Sequence, residues 1–350
     1  MKRLLPLALA VGAGLASAAD PNAIFAPLAG AKSPGLAVLV RQNGRTVFTH
    51  GYGVRDLRTL ARIDAQTDFR LASCTKQFTA LAVMLLVHDG KLRYDQRLTE
   101  IFPDFPAYGR AITVRQLLTH TSGLPDYEDL MKGDTWTAAH QIQDVEVLGL
   151  LKQQAAGKFA PGSGWAYSNS GYVALGSIVA KVSGKPFGQF LHERIFQPLH
   201  MSHTLVYVKG SNIVPNRAYG HTKEGNHFVE TDQSSTSATQ GDGGIYSNLE
   251  DLAKWDRALE SHALLSDEEM RPALTPAQVA RGSNPVSYGF GWFLDPFEGH
   301  ARMWHTGSTM GFRTVIERFT GERLTIVVLC NRTDLDPEKL ALQDSRGFIQ

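Results

Sequence analysis

Strand-like patterning occupies the two ends of the chain and helix-like patterning the middle. Leu36 to Val40 and Thr46 to Thr49 are β-rich runs around Gln42-Asn43-Gly44, a spacing that predicts a hairpin. Near the other end, Thr314 to Phe319 and Leu324 to Leu329 flank Thr320-Gly321-Glu322-Arg323 and predict a second. Between them the segment Thr75 to His88 is apolar around nearly its whole circumference (Phe78, Leu81, Val83, Met84, Leu85, Leu86, Val87), which predicts a helix buried at the centre of the molecule. Val114 to Leu118, Tyr172 to Val182 and Leu249 to Leu259 read as further helices, separated by Gly and Pro loops. Strands at both termini with helices between them predict an α/β chain of the α+β kind. One antiparallel sheet is completed by the two chain ends, a helical lobe packs against it, and a cleft lies between.

The first residues do not belong to that pattern. Lys2 and Arg3 precede an apolar run from Leu4 to Leu15, followed by Ala16-Ser17-Ala18. A basic start, a short apolar stretch and a small-x-small site predict a secretory signal over residues 1–18, cleaved to leave a chain beginning near Ala19. About 12 apolar residues fall short of the roughly 20 a membrane span requires. The expectation is one domain over 19–350, exported to the periplasm or secreted, with no membrane span. A net charge of +1 gives no reason to expect nucleic acid or an anionic membrane as partner. Cys74 and Cys330 are the only cysteines, which rules out a disulfide framework and leaves a single bridge between them open.

The candidate chemistry begins at Ser73-Cys74-Thr75-Lys76, the one S-x-x-K in the chain, at the start of its most hydrophobic helix. Residues three apart on a helix share a face, so the lysine amine reaches the serine hydroxyl. Serine is a poor nucleophile until a base takes its proton, and lysine serves as that base when burial or nearby positive charge lowers its pKa. Tyr167-Ser168-Asn169, in a turn-rich loop that feeds a helix, adds a phenol able to pass a proton and a carboxamide able to hold a substrate amide. The same tripeptide recurs at Tyr246-Ser247-Asn248, ahead of Leu249-Glu250-Asp251-Leu252, where it reads as a helix start and receives a structural role. His305-Thr306-Gly307-Ser308 precedes the C-terminal hairpin. Its glycine would let a substrate backbone approach closely, and its polar side chains would bind a carboxylate or polarise the reacting group.

In this order the three motifs resemble the serine β-lactamase and penicillin-binding-protein superfamily, and most of all its class C β-lactamase-like branch of esterases, D-amino-acid peptidases and β-lactamases. Leu117-Leu118-Thr119-His120-Thr121-Ser122-Gly123-Leu124, Pro198-Leu199-His200-Met201, Gly243-Gly244-Ile245-Tyr246-Ser247 and Tyr288-Gly289-Phe290-Gly291-Trp292 are similar to that branch as well. The resemblance implies Ser73 as nucleophile, Lys76 as its base, Tyr167 as a partner in proton transfer and Asn169 as a substrate-amide contact. It also implies an oxyanion hole from the backbone N–H groups of Ser73 and Ser308. The implied substrate is a small-molecule or peptidoglycan-type acyl donor, with no cofactor and no metal. One departure stands out: class C β-lactamases usually carry lysine where this chain has His305. Esters or D-amino-acid derivatives are therefore the expected substrates, a true class C-like β-lactamase the alternative. A non-turnover penicillin-binding or sensor protein is a further reading, weakened because all three motifs are intact.

Other residues receive structural readings. Cys74 projects about 100° around the helix from Ser73 and is read as packing. His200 and His203 have helical metal-ligand spacing without a third ligand nearby and are read as a surface loop. His120 is read as a hydrogen-bonded structural residue, and Asp242, between glycines, as part of a turn.

Overall fold

A computed structural model describes residues 20–349 except 278, 282 and 283. The segment read as a signal, residues 1–18, and the expected start near Ala19 lie outside the described residues. Five antiparallel strands form the main sheet: β1 (Leu36–Gln42), β2 (Arg45–Tyr52), β3 (Arg302–Thr309), β4 (Phe312–Phe319) and β5 (Leu324–Cys330), in spatial order β3-β4-β5-β1-β2. Both predicted hairpins are present. In the first, Asn43 and Gly44 take φ of 52° and 75°, the left-handed pair that a tight hairpin turn requires. The two chain ends meet where β1 pairs with β5, from Leu36 opposite Cys330 to Gln42 opposite Leu324.

Strand β1 is buried without a break from Leu36 to Val40 because both faces of the sheet are covered. Ala37 and Leu39 pack into the core shared with the helical lobe, whereas Leu36, Val38 and Val40 pack with Phe25 and Ala341 from the two chain termini. The lobe contains α1 (Lys76–His88), α2 (Val114–Leu118), α3 (Asn169–Ser183) and α4 (Leu249–Ser261); α5 (Pro337–Ser345) belongs to the terminal layer. Helix α1 is the predicted central helix, buried from Lys76 to Leu86, with the Phe78 ring 4.3 Å from Trp255 and 5.8 Å from Phe196.

Two local expectations change. The helical segment does not run unbroken through Ser73: Ala72–Thr75 is a tighter 3₁₀ turn, and the α-helix starts at Lys76. Helix α3 begins three residues before the predicted Tyr172, with Ser168 as its N-cap accepting from the Gly171 N–H at 3.0 Å. Cys74 and Cys330 are buried free thiols and are not bridged. Among the described residues, no helix is long and apolar enough to cross a membrane.

Candidate active site

Ser73 sits in a turn whose backbone is held from three sides. Leu71 donates its N–H to the Ile245 carbonyl at 2.9 Å and accepts from the Thr314 hydroxyl at 2.9 Å. Ala72 between them adopts a φ of 47°, a conformation that a non-glycine residue keeps only where its surroundings over-determine it. Gly307 supplies part of that confinement. A Cβ there would lie 2.1 Å from the Leu71 carbonyl oxygen and 3.2 Å from the Ala72 Cβ. The glycine thus makes room for the serine turn and not for a substrate backbone, which corrects the role expected of it.

Lys76 is fully buried, and its Nζ lies 3.1 Å from Ser73 Oγ, 2.9 Å from Asn169 Oδ1 and 2.9 Å from the Asp242 carbonyl oxygen. As an ammonium it has three N–H donors for three acceptors. As a neutral amine it has two donors and one lone pair. The two oxygens of Asn169 and Asp242 accept only, so they take the two N–H groups and the lone pair is left facing the Ser73 hydroxyl. The Tyr167 ring centroid is 4.9 Å from the same nitrogen. Tyr167 is held by His120, whose ring lies 4.4 Å away and whose Nδ1 accepts from the Ser168 N–H at 3.1 Å. Burial drives the His120 pKa well below its ordinary value, with the Lys76 charge as the next cause, so it is a neutral structural residue as expected.

Strand β3 forms the opposite border. Trp304 exchanges both backbone hydrogen bonds with Phe293, away from β4. The alternation of an antiparallel ladder then points the N–H groups of Thr306 and Ser308 the same way, to the open edge. Ser308 is exposed in the cleft and its N–H is available as an oxyanion donor beside Ser73. His305 behaves differently from its expected role. It is 1% exposed, with Nδ1 2.6 Å from the Thr306 carbonyl oxygen and Nε2 3.1 Å from the Tyr288 hydroxyl. A carbonyl only accepts, so Nδ1 carries the proton and Nε2 accepts from Tyr288. Burial first, and the Lys76 charge second, lower its pKa to about 3. The ring is neutral and both nitrogens are occupied, so His305 does not offer the carboxylate donor expected of this position.

The cleft gathers Ser73, Asn169 and Ser308 with several residues that motif reading passed over: Arg70, Tyr127, Glu128, Asp242 and the Ser234–Thr236 segment. Asp242 does lie in a turn, but that turn also lines the cleft and gives Lys76 a carbonyl. Its position three residues before the Ile245–Ser247 strand, between two glycines, was the available signal. Glu128 accepts from Asn169 Nδ2 at 3.3 Å, a link across 41 residues that spacing alone does not show. Cys74 is packing, with Sγ donating to the His305 carbonyl at 3.1 Å. His200 is exposed and His203 lies 3.8 Å from Asp68, on the loop that was expected. Among the described residues no group of three or more His, Cys, Asp or Glu side chains is placed to hold a metal.

Comparison with known proteins identifies the family. The family profile described as Beta-lactamase matches residues 22–346. A penicillin-binding protein of Bacillus subtilis (strain 168) is 33% identical over 335 residues, covering 89% of this chain and 71% of that protein. A D-aminopeptidase of Cereibacter sphaeroides is 29% identical over 304 residues, covering 86% of this chain and 57% of its own length. The solved D-amino acid amidase of Ochrobactrum anthropi SV3 superposes with a TM-score of 0.77 at 25% identity, covering 94% of this chain and 96% of that one. The antiparallel sheet closed by both chain ends, the helical lobe and the match over nearly the whole chain make it a member of the beta-lactamase family of penicillin-binding-protein-like serine hydrolases.

Proposed function

We propose that the protein hydrolyses an amide or ester of a small acyl donor, such as a D-amino-acid derivative, through an acyl-enzyme on Ser73. The observation that carries this reading is the environment of Lys76 Nζ, where Asn169 and Asp242 take two N–H groups and leave the lone pair for Ser73 at 3.1 Å. In the forward step the Ser73 Oγ–C bond forms as its proton passes to Lys76, and charge on the carbonyl oxygen develops against the N–H groups of Ser73 and Ser308. The proton then returns, with Tyr167 as relay, to the departing amine or alkoxide as the old C–N or C–O bond breaks. Water reverses the sequence and frees the acid and Ser73. The similarity to a D-aminopeptidase and a D-amino acid amidase supports an amide-cleaving member. The occupied nitrogens of His305 weigh against efficient handling of the β-lactam carboxylate. We also infer export, on the pattern of residues 1–18.

Incubation with a panel of p-nitrophenyl esters, D-amino-acid amides and nitrocefin tests the reading. Repeated turnover is expected, with kcat/KM for the best ester or amide roughly ten- to a hundredfold above that for nitrocefin, the size of a lost charge-assisted hydrogen bond. A single stoichiometric labelling without turnover would identify a sensor instead. Nitrocefin as the best substrate would identify a β-lactamase.

A further inference from the structure

Away from the cleft, a cavity of about 270 Å³ opens between the end of helix α4, the last residues of β4 and the first of β5. Leu259, Met270, Leu274 and Met303 give it apolar walls. A second cavity of about 290 Å³ shares Leu274, Met303 and Thr320 with the first and continues past Leu294 and Pro296, so the two make one elongated apolar groove. Met303 stands five residues before Ser308 on β3, about 17 Å from it at the rise of an extended strand. None of the residues lining the groove borders the catalytic cleft.

The polar end of the groove is Arg318. Its side chain is only 13% exposed, and its Nε donates to Asp256 at 2.8 Å. One Nη meets the Met303 sulfur at 3.5 Å, a weak acceptor, and the other has no acceptor among the described residues. Asp256 is moreover shared, since Arg41 Nε lies 2.9 Å from its other oxygen. Arg323 holds Glu260 at 2.6 Å, and His262 lies 3.1 Å from Asp267. Three guanidinium groups thus stand against two carboxylates around this wall. A largely desolvated guanidinium whose terminal N–H groups lack an oxygen is costly until an anion supplies one.

We propose that the groove is a second binding site, separate from the catalytic cleft, for an aliphatic monocarboxylate. The carboxylate sits on the Nη groups of Arg318, and the chain lies between Met270, Leu274 and Met303. The first cavity falls just below the roughly 300–1,000 Å³ of ordinary small-molecule sites, which suits a short single chain, and two flexible methionines let its walls adapt. Asp256 and Glu260 disfavour a second negative charge on the ligand. The site is independent of Ser73 and of the reaction proposed there.

The test is calorimetric titration at pH 7 with octanoate, octanol and octylamine, three probes that share a chain and differ in head group. The wild type is expected to bind octanoate about tenfold or more tighter than either of the others, the size of a charge-assisted contact. Arg318→Met keeps an apolar stem and leaves Asp256 with Arg41 and the Thr325 hydroxyl, and should bring octanoate down to the affinity of octanol. Leu274→Trp fills the groove from a position that is 45% exposed, where folding is least disturbed. It should weaken octanoate about tenfold or more while turnover of p-nitrophenyl butyrate by the ligand-free protein stays unchanged. No binding of octanoate, equal binding of octanol, or octanoate affinity undiminished by Leu274→Trp overturns the site, the last because the ligand then lies elsewhere.

Discussion

The chain uses Tyr-Ser-Asn twice, and the two copies do different work because each meets its helix in a different register. At 167–169 the serine is the N-cap: Ser168 Oγ accepts from the Gly171 N–H at 3.0 Å, and Asn169 is the first residue inside helix α3. At 246–248 the asparagine is the N-cap: Asn248 Oδ1 accepts from the Asp251 N–H at 2.9 Å, and its Nδ2 donates to Asp68 at 2.8 Å. A shift of one residue decides which side chain the helix end consumes. In the first copy the capping duty falls to serine and the carboxamide is free to reach Lys76. In the second the carboxamide is spent on the fold. The tyrosines follow suit: Tyr167 is half-buried above the Lys76 amine, whereas Tyr246 is fully buried and accepts from Arg217 at 3.1 Å.

The largest effect that separates the copies lies at Lys76, the residue only the first copy touches. Lys76→Arg should retain less than about a thousandth of wild-type turnover, because guanidinium stays protonated and has no lone pair to offer Ser73. Steady-state kinetics with folding checked by circular dichroism measures it, and retention of a large share of activity removes Lys76 from the mechanism. Next in size are the asparagines themselves. Asn169→Ala should cost about a hundredfold in kcat through misplacement of Lys76, with a modest change in stability. Asn248→Ala should do the reverse, losing about 2 kcal/mol of unfolding free energy from the cap and the abandoned Asp68 while kcat changes little. If Asn248→Ala proved the more damaging to kcat, the assignment of the two copies would be exchanged.

A smaller effect concerns acid. His305 has a folded pKa of about 3 against an ordinary value near 6.5, so between those values the unfolded chain binds a proton that the folded one does not. Its contribution to stability is present above about pH 6.5 and is lost as pH falls toward 3, by at most about 1.4 kcal/mol per pH unit. Glu317, raised to about 8 by burial, acts with the opposite sign and makes the fold less stable as pH rises from its ordinary range. Comparing urea unfolding of wild type and His305→Gln at pH 7 and pH 5 isolates the histidine, and a smaller loss in the variant is expected. The same pH sensitivity in both proteins would show that His305 does not titrate between the two states.

Much of this was readable in advance where chemistry and periodicity coincide. The Asn43-Gly44 turn, the circumferentially apolar α1 and the ordered Ser73-Lys76, Tyr167-Asn169 and His305-Ser308 motifs each carry a local signal. Gly307 and His305 were located but misjudged, because which face of β3 looks into the cleft depends on β4 and on the serine turn, more than 200 residues away in the chain. Glu128 and Arg70 had no local mark, and the mark at Asp242, an acid between glycines, reads only as a turn: all three acquire meaning when the loops converge on Lys76. The 3₁₀ turn at Ser73 escaped helical periodicity because its strain is set by Leu71, Ala72 and Gly307 together.

The central claim is that Ser73 becomes covalently acylated, and trapping is its most direct measurement. The protein is mixed with a slow acyl donor or a fluorophosphonate, quenched in acid, weighed intact and mapped by peptide mass spectrometry. One adduct per chain is expected, on the peptide containing Ser73, and absent from Ser73→Ala. An adduct on Cys74 or Ser122, or the same labelling in Ser73→Ala, would contradict it.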